Sequence, residues 1–568
     1  VFEFAGGGGI RHFQGNFIAH VGVLTRARSS AIDRLQYRLR QLLSRNRRCE
    51  MSRDQGMLIG EILANTAARV PDKPAIVAGE FSQTYGELDR TANRFAQALI
   101  STGLGKGHNI GIYSPNKPDY PVIYFGAARS GAILAHLSAR FSLGELQNVI
   151  DSTDIEAIFV DAGLAGNLMD IWGDLPGLKR IIAIGGAAPE GTESLAGFIG
   201  DAPDTPPDVA LTDDEAFAIT YTGGTTGFPK GVVAGHQSRV IGCLRAEREF
   251  GLTEDDVFCC STPLFHIAGL FVWFQTGVLI GNTLVLMPAW DAEEFMRLVE
   301  EDGVTASFMI PTQINGIISH PNFAAERLKG WRYGNFGGAP NPVAQMQKML
   351  DVLPYVIWVE QYGQSESGNL TVRPPEFCAA KMASAGRAFA DLDMAIFDAD
   401  DNPLPPGEVG ELVTRGVHVM IGYYKNAEAT KAAINSDGWI RTGDVGYIDE
   451  DGFLFLVDRS KDMIISGGEN IYPSEIENAL YSHAAVNECA VFGIPDDYWG
   501  ELPAAHVVLE DGESVDEEAL MDFCIERLAR HKRPRMIKFV EELPKTAVGK
   551  IQKNIIRAHY WAGTERTI

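Results

Sequence analysis

No Cys-x-x-Cys pair occurs anywhere in the 568 residues. The seven cysteines (Cys49, Cys243, Cys259, Cys260, Cys378, Cys489, Cys524) are scattered and odd in number. This excludes a disulfide framework or a zinc ribbon and points to free thiols in a reducing compartment. Long apolar runs are missing too. The longest, Ile267 to Ile280, is broken by Gln275. It is too short to cross a bilayer, so it reads as buried core and no integral membrane segment is expected. Positive charge is scarce: 49 Lys and Arg stand against 74 Asp and Glu, a net of −25. That balance argues against nucleic-acid binding through a general basic surface and for a soluble cytoplasmic protein. Neither a short-period repeat nor a low-complexity tract is visible. The length calls for two or more domains, and 45% hydrophobic with 22% charged residues is ordinary for a globular chain.

Lysine is absent from residues 1–50, which hold nine Arg and three acidic residues (Glu3, Asp33, Glu50), a local net of +6 that leaves −31 for the rest. Ile32, Leu35, Leu39 and Leu42 fall on one helical face, so a basic amphipathic helix for targeting or a membrane surface is one reading. An over-extended gene start, with Met51 or Met57 as initiator, is preferred, and 1–50 is set apart from the fold.

From Met57 the chain alternates regularly. Thr84-x-x-Glu87 is a capping box followed by the apolar stripe Leu88, Ala92, Phe95, Ala96, Leu99, with Gly103 closing the helix. Strand-like runs follow at Ile110–Tyr113, Ala132–Leu137, Ile155–Val160 and Ile181–Ile184, and again at Thr283–Met287, Ala306–Ile310 and Tyr355–Glu360. Helix-length segments separate them, which predicts an α/β fold of doubly wound parallel sheets. Residues 402–460 turn Gly- and Asp-rich and read as a β-rich subdomain. Beyond Arg459, strands at Cys489–Phe492, Ala504–Leu509 and Met536–Val540 and a helix near Glu517–Leu528 predict a small α+β unit. The boundaries are therefore 51–459 for a large domain and 460–568 for a small C-terminal one.

The chemistry is concentrated in a few stretches. Tyr221-Thr-Gly-Gly-Thr-Thr-Gly-Phe-Pro-Lys-Gly231 packs four glycines, three threonines and a lysine into eleven residues. Glycines let successive N–H groups converge on an anion, and Thr222, Thr225, Thr226 and Lys230 add donors and a charge suited to phosphate. Phe228-Pro229 breaks the Walker spacing, so this is a phosphate loop of another kind. Gly337-Gly-Ala-Pro340, Gln361-Tyr-Gly-Gln-Ser-Glu366, Thr442-Gly-Asp444, Asp458-Arg459, Ser466-Gly-Gly-Glu-Asn470 and Pro544-Lys-Thr-Ala-Val-Gly-Lys550 follow. Each alone is as well explained by turn chemistry.

In this order and spacing the motifs resemble the superfamily of acyl-CoA synthetases, peptide-synthetase adenylation domains and beetle luciferases, over roughly residues 57–560. The resemblance implies a large N-terminal domain and a mobile C-terminal domain on a hinge at Lys461. It assigns the β- and γ-phosphates of ATP to Thr222, Gly223, Gly224, Thr225, Thr226, Gly227 and Lys230, and Mg²⁺ to Glu366 with Thr225. The adenine slot falls to Gly338, Ala339 and Pro340 facing Tyr362, with Gln361, Gly363 and Ser365 alongside, and the ribose to Asp444 and Arg459. Lys550 becomes the catalytic contact to the carboxylate and the α-phosphate. Gly467-Gly468 would admit the pantetheine of CoA after a domain rotation, and Arg533 and Arg535 would meet its nucleotide phosphates.

Pro263-Leu-Phe-His-Ile-Ala-Gly269 matches the family's acyl-pocket motif, with His266 gating the channel and Ile267, Ile314, Phe336, Gly338 and Gly363 around it. No aspartate for an α-amino group is present there, which disfavours amino acids. A mostly apolar lining suits a monocarboxylic fatty or aromatic acid better than a diacid, which would want an extra Arg. The expected activity is an AMP-forming acid–CoA ligase using ATP, Mg²⁺ and CoA. The alternatives are a stand-alone adenylating enzyme that loads a carrier protein and a non-catalytic ATP sensor, which Lys550, Glu366 and Asp444 argue against. The acid and the oligomeric state, a homodimer included, are left open.

Overall fold

The computed structural model describes residues 56–562 apart from 223–228, 340, 460, 468 and 547–549. The basic segment 1–50, Gly223, Gly224, Thr225, Thr226, Gly227, Pro340 and Gly468 thus lie outside the described residues.

The helix expected after Thr84 is Tyr85–Ser101. Its capping box forms in both directions: the Glu87 N–H donates to Thr84 Oγ1 at 3.3 Å and the Thr84 N–H to Glu87 Oε2 at 2.9 Å. Leu88, Ala92, Phe95, Ala96 and Leu99 are all buried, so the 3.6-residue stripe is the packing face.

Two large sheets organise the chain to Arg459. In the first, Ala216–Thr222, Ile133–Leu137, Asn109–Tyr113, Ala157–Asp161, Arg180–Ile184 and Glu193–Ser194 run parallel in that spatial order. Lys230–Gly235 and then Gly422–Tyr423 close one edge antiparallel. Asn109–Tyr113 and Ala157–Asp161 are buried at every position, as strands covered by helices on both faces must be. In the second sheet Pro74–Ala78, Thr283–Leu286, Val257–Cys260, Ala306–Met309, Tyr333–Gly337 and Ile357–Gln364 run parallel.

The β-rich stretch is not a free-standing subdomain by its pairing. Its strands Gly410–Arg415, Ile440–Ile448 and Phe453–Arg459 continue the second sheet antiparallel, together with Gly368–Arg373, Gly386–Ala388 and Asp393–Phe397 from before residue 402. It does carry its own small core of Leu370, Ala385, Ile396, Leu412 and Leu454. The sheets are therefore mixed, where alternation alone predicted parallel ones.

The run Ile267–Ile280 is core. Ala268–Phe274 forms a π-helical turn that continues into the helix Gln275–Ile280. Gln275 survives there because its amide donates to the Arg239 carbonyl at 3.0 Å and accepts from the Tyr124 hydroxyl. No helix among the described residues is long and apolar enough to cross a membrane.

After Arg459 a third, five-stranded sheet forms around the long pair Val486–Asp496 and Gly500–Leu509. The helices Pro473–Tyr481 and Glu517–Ile525 pack on it over a separate core that includes Ile464, Leu480, Val491 and Val507.

Candidate active site

The antiparallel strands Ala216–Thr222 and Lys230–Gly235 set Thr222 opposite Lys230 at the two ends of the phosphate-loop motif. Thr222 donates its hydroxyl to Glu366 Oε1 at 3.4 Å, and the Tyr423 hydroxyl donates to the same oxygen at 3.0 Å. The Lys230 ammonium stands 5.3 Å from the centre of the Tyr423 ring. Residues from three distant stretches thus meet at one carboxylate. Glu366 follows the strand Ile357–Gln364, at the carboxyl end of the sheet where α/β folds bind ligands. The turn is tight: a Cβ on Gly363 would lie 2.1 Å from the Gly368 carbonyl oxygen.

Beside it, Asp444 and Arg459 are cross-strand partners. The Arg459 Nε lies 3.2 Å from one Asp444 oxygen, and the Tyr362 hydroxyl donates to the other. Gln361 pairs with Gly337 in the ladder, next to Gly338 and Ala339. Its amide oxygen and nitrogen are buried with no partner among the described residues.

Lys550 comes from the C-terminal unit, beside the bridge of Lys545 to Ile551, and its carbonyl accepts from the Thr546 N–H at 2.7 Å. Burial first, then the Arg459 guanidinium, pull its ammonium down to about 8, against the opposing pull of Asp444 and Glu366. The Lys461 charge adds to the lowering. Burial and the nearby Lys550 charge push the His266 imidazole down to about 3, so it is neutral near pH 7. Charges more than a hundred residues apart in sequence therefore share one centre.

The segment around His266 is held by a residue that the motif reading overlooked. The Asn116 amide donates to the carbonyls of Cys260, Thr262 and Met287 at 3.0–3.1 Å and accepts from the Leu264 N–H at 2.7 Å. Gly269 is required here, because a Cβ would sit 2.4 Å from the Pro263 carbonyl oxygen. Ile267 packs in the core around Phe271 and Trp273, whereas Ile314 and Phe336 belong to a second core around Trp331 and Trp358.

The remaining positions are not joined to this group by any hydrogen bond or ion pair among the described residues. The Gly467 N–H donates to the Trp499 carbonyl at 2.7 Å. Arg533 donates to the carbonyls of Leu528 and Ile525, both at 3.1 Å, and the Arg535 N–H donates to the Pro503 carbonyl at 2.7 Å. Besides Asn116, the motif reading missed Tyr423, and it passed over Arg239, whose Nη2 donates to the Ser365 carbonyl beside Glu366 at 3.0 Å. Asn116 lies in a polar Ser114–Pro118 turn just past a strand, a position that could have flagged it. Tyr423 sits in a stretch with no such signal.

Model comparison matches residues 63–424 to the AMP-binding enzyme family and residues 475–550 to the AMP-binding enzyme C-terminal domain. A feruloyl-CoA synthase from Amycolatopsis is 34% identical over 517 residues, covering 89% of this chain and all of that one. The long-chain-fatty-acid–CoA ligase FadD13 of Mycobacterium tuberculosis is 34% identical over 513 residues, covering 89% and 99%. Among solved structures, the anthranilate CoA ligase AuaEII in complex with anthranoyl-AMP superposes with a TM-score of 0.83 at 25% identity, covering 89% and 97%. The convergence of Lys550, Asp444 and Glu366 from two units agrees with both halves of that match, and the chain belongs to the AMP-binding enzyme family as an AMP-forming acid–CoA ligase.

Proposed function

We propose that this ligase joins a fatty or aromatic carboxylic acid to CoA through an acyl-adenylate assembled around Lys550, Asp444 and Glu366. The single observation that carries the reading is the position of the Lys550 ammonium within the fields of Arg459, Asp444 and Glu366. A cation there draws two anions, the acid's carboxylate and the α-phosphate, into one line. It also offsets the negative charge that builds up as the carboxylate oxygen attacks phosphorus and pyrophosphate departs. Asp444 would accept from the ribose hydroxyls. Tyr362, whose hydroxyl is tied to Asp444, would present its ring to adenine. The unpartnered Gln361 amide suits an adenine edge, which offers both a donor and an acceptor.

Mg²⁺ fits the Glu366 corner. Oε1 is taken by Thr222 and Tyr423, while Oε2 has no hydrogen-bond partner among the described residues. No cluster of three metal-ligating side chains occurs among the described residues, and a single carboxylate with the substrate's phosphates is how magnesium is commonly held. When bound, the ion would neutralise the leaving pyrophosphate. Thr225 is proposed as its second contact, and Gly467, Gly468, Arg533 and Arg535 as contacts for CoA.

Lys550→Ala is expected to lower acid-dependent ATP–pyrophosphate exchange by about a hundred- to a thousandfold, the range for removing one transition-state contact. Thioester formation from supplied acyl-AMP and CoA should change less than about tenfold. Equal loss of both half-reactions sinks the assignment of Lys550 to the first alone.

A further inference from the structure

Three arginines are fully buried around the helix His236–Glu249 and the strand Gly368–Arg373. Two have their own carboxylate: Arg245 pairs with Asp391 at 2.8 Å, and Arg373 with Glu360. Arg239 has none among the described residues. It is 2% exposed, its Nη2 donates to the Ser365 carbonyl at 3.0 Å, and its Nε has no partner. The guanidinium lies 4.9 Å from the centre of the Phe271 ring. Glu366 is the one acid whose field reaches it, and that carboxylate accepts from Thr222 and Tyr423 instead.

A second orphaned group faces the same ring. His136 is 1% exposed and stands edge-on to Phe271 at 5.5 Å. Its Nδ1 is hydrogen-bonded to the Tyr120 hydroxyl at 2.8 Å, and its Nε2 has no partner. The field of Arg239 adds to burial in keeping this imidazole neutral. Buried charges and polar groups are normally paired, because an unmet one costs its full desolvation. Both side chains stand against this one aromatic ring, and each keeps a buried nitrogen with no partner among the described residues.

Phe271 lies five residues beyond His266, inside the π-helical turn Ala268–Phe274 that follows it. His266 is the end near Lys550, so Phe271 marks the far end. We propose that Arg239, with His136, holds an acceptor oxygen at the distal end of the acid, so the preferred substrate carries a ketone or a second carboxylate there. This rests on the acid–CoA ligase reading. It also supplies the extra Arg that the sequence motifs did not reveal.

The test compares hexanoate, 5-oxohexanoate and adipate, and separately cinnamate and 4-carboxycinnamate, by AMP release with CoA. The wild-type protein is expected to give one oxygenated acid a kcat/KM at least about tenfold above its plain counterpart, as hydrogen-bonding pockets do. A preference for adipate assigns a carboxylate, and one for 5-oxohexanoate a ketone. Arg239→Met should bring that ratio to within about threefold of one. Arg239→Lys should keep part of it, a point charge replacing the fork. Plain acids used as well as or better than the oxygenated ones overturn the assignment while leaving the ligase intact, even where Arg239→Met fails to fold. A ratio unmoved in a folded Arg239→Met protein, with all acids slowed alike, overturns it in favour of a prop for the Ser365–Glu366 turn. Absence of AMP release with every acid removes the ligase reading and this assignment with it.

Discussion

The role proposed for Lys550 is that of a cation, so activity should follow its proton. Burial and Arg459 bring the group to about 8 in the absence of substrate. Below that pH the amine is charged and can gather two anions. As pH rises through about 8 the charge is lost, and kcat/KM for ATP, which reports the free enzyme, is expected to fall about tenfold per unit above it. Lys550→Arg keeps its charge throughout, so its profile should stay flat to pH 10 even at a lower absolute rate. His266, neutral far below this range, should add no acidic limb between pH 5 and 7. A wild-type profile level from pH 7 to pH 10 would contradict the role given to the amine.

At the scale of elements, one side chain pins Pro263–Gly269, the proposed acyl segment, to the ends of two strands. Asn116→Ala removes the amide that serves the carbonyls of Cys260, Thr262 and Met287 and the N–H of Leu264. Leaving such buried groups unmet is expected to cost about 2–3 kcal/mol in urea unfolding. It should raise KM for the acid while leaving KM for ATP within about twofold, because no Asn116 contact touches the Glu366–Asp444 side. The contrast with Thr84 and Glu87 explains what could be read from the chain alone. A capping box and an apolar stripe are local patterns, so the helix Tyr85–Ser101 was legible residue by residue. The motifs at Glu366, Asp444 and Lys550 were legible because glycine-rich turns and charged residues recur in a family order. Asn116 and Arg239 were not, since their meaning lies in partners over a hundred residues away. An arginine inside a helix looks solvated until its burial is known. The mixed sheets escaped notice for the same reason: strand runs give no sign of their direction.

At the scale of the whole molecule, the proposed site draws Lys550 from the C-terminal part of the chain, so adenylation on this reading needs that part docked. One side-chain contact across that junction is Asn315 Nδ2 donating to Asn487 Oδ1 at 3.2 Å. The proposed second half-reaction needs the unit to turn, so that Gly467 and Gly468 replace Lys550. Holding the contact closed should therefore split the two steps. Asn315→Cys with Asn487→Cys, bridged by a short bifunctional thiol reagent, is expected to retain adenylate formation and lose thioester formation by at least about a hundredfold. The protein is suited to this. The described cysteines are all buried, and burial raises the thiols of Cys243, Cys259, Cys378 and Cys524. As the thiolate is the reacting form, they should stay inert, and Cys49→Ser removes the seventh. The unbridged double variant provides the reference for both steps. If the bridged protein still makes thioester at the unbridged rate, one docked arrangement serves both reactions and the rotation is unnecessary. Loss of both steps would mean that adenylation itself needs freedom at this junction, which would place the control of the reaction in the docking of Lys550, not in its removal.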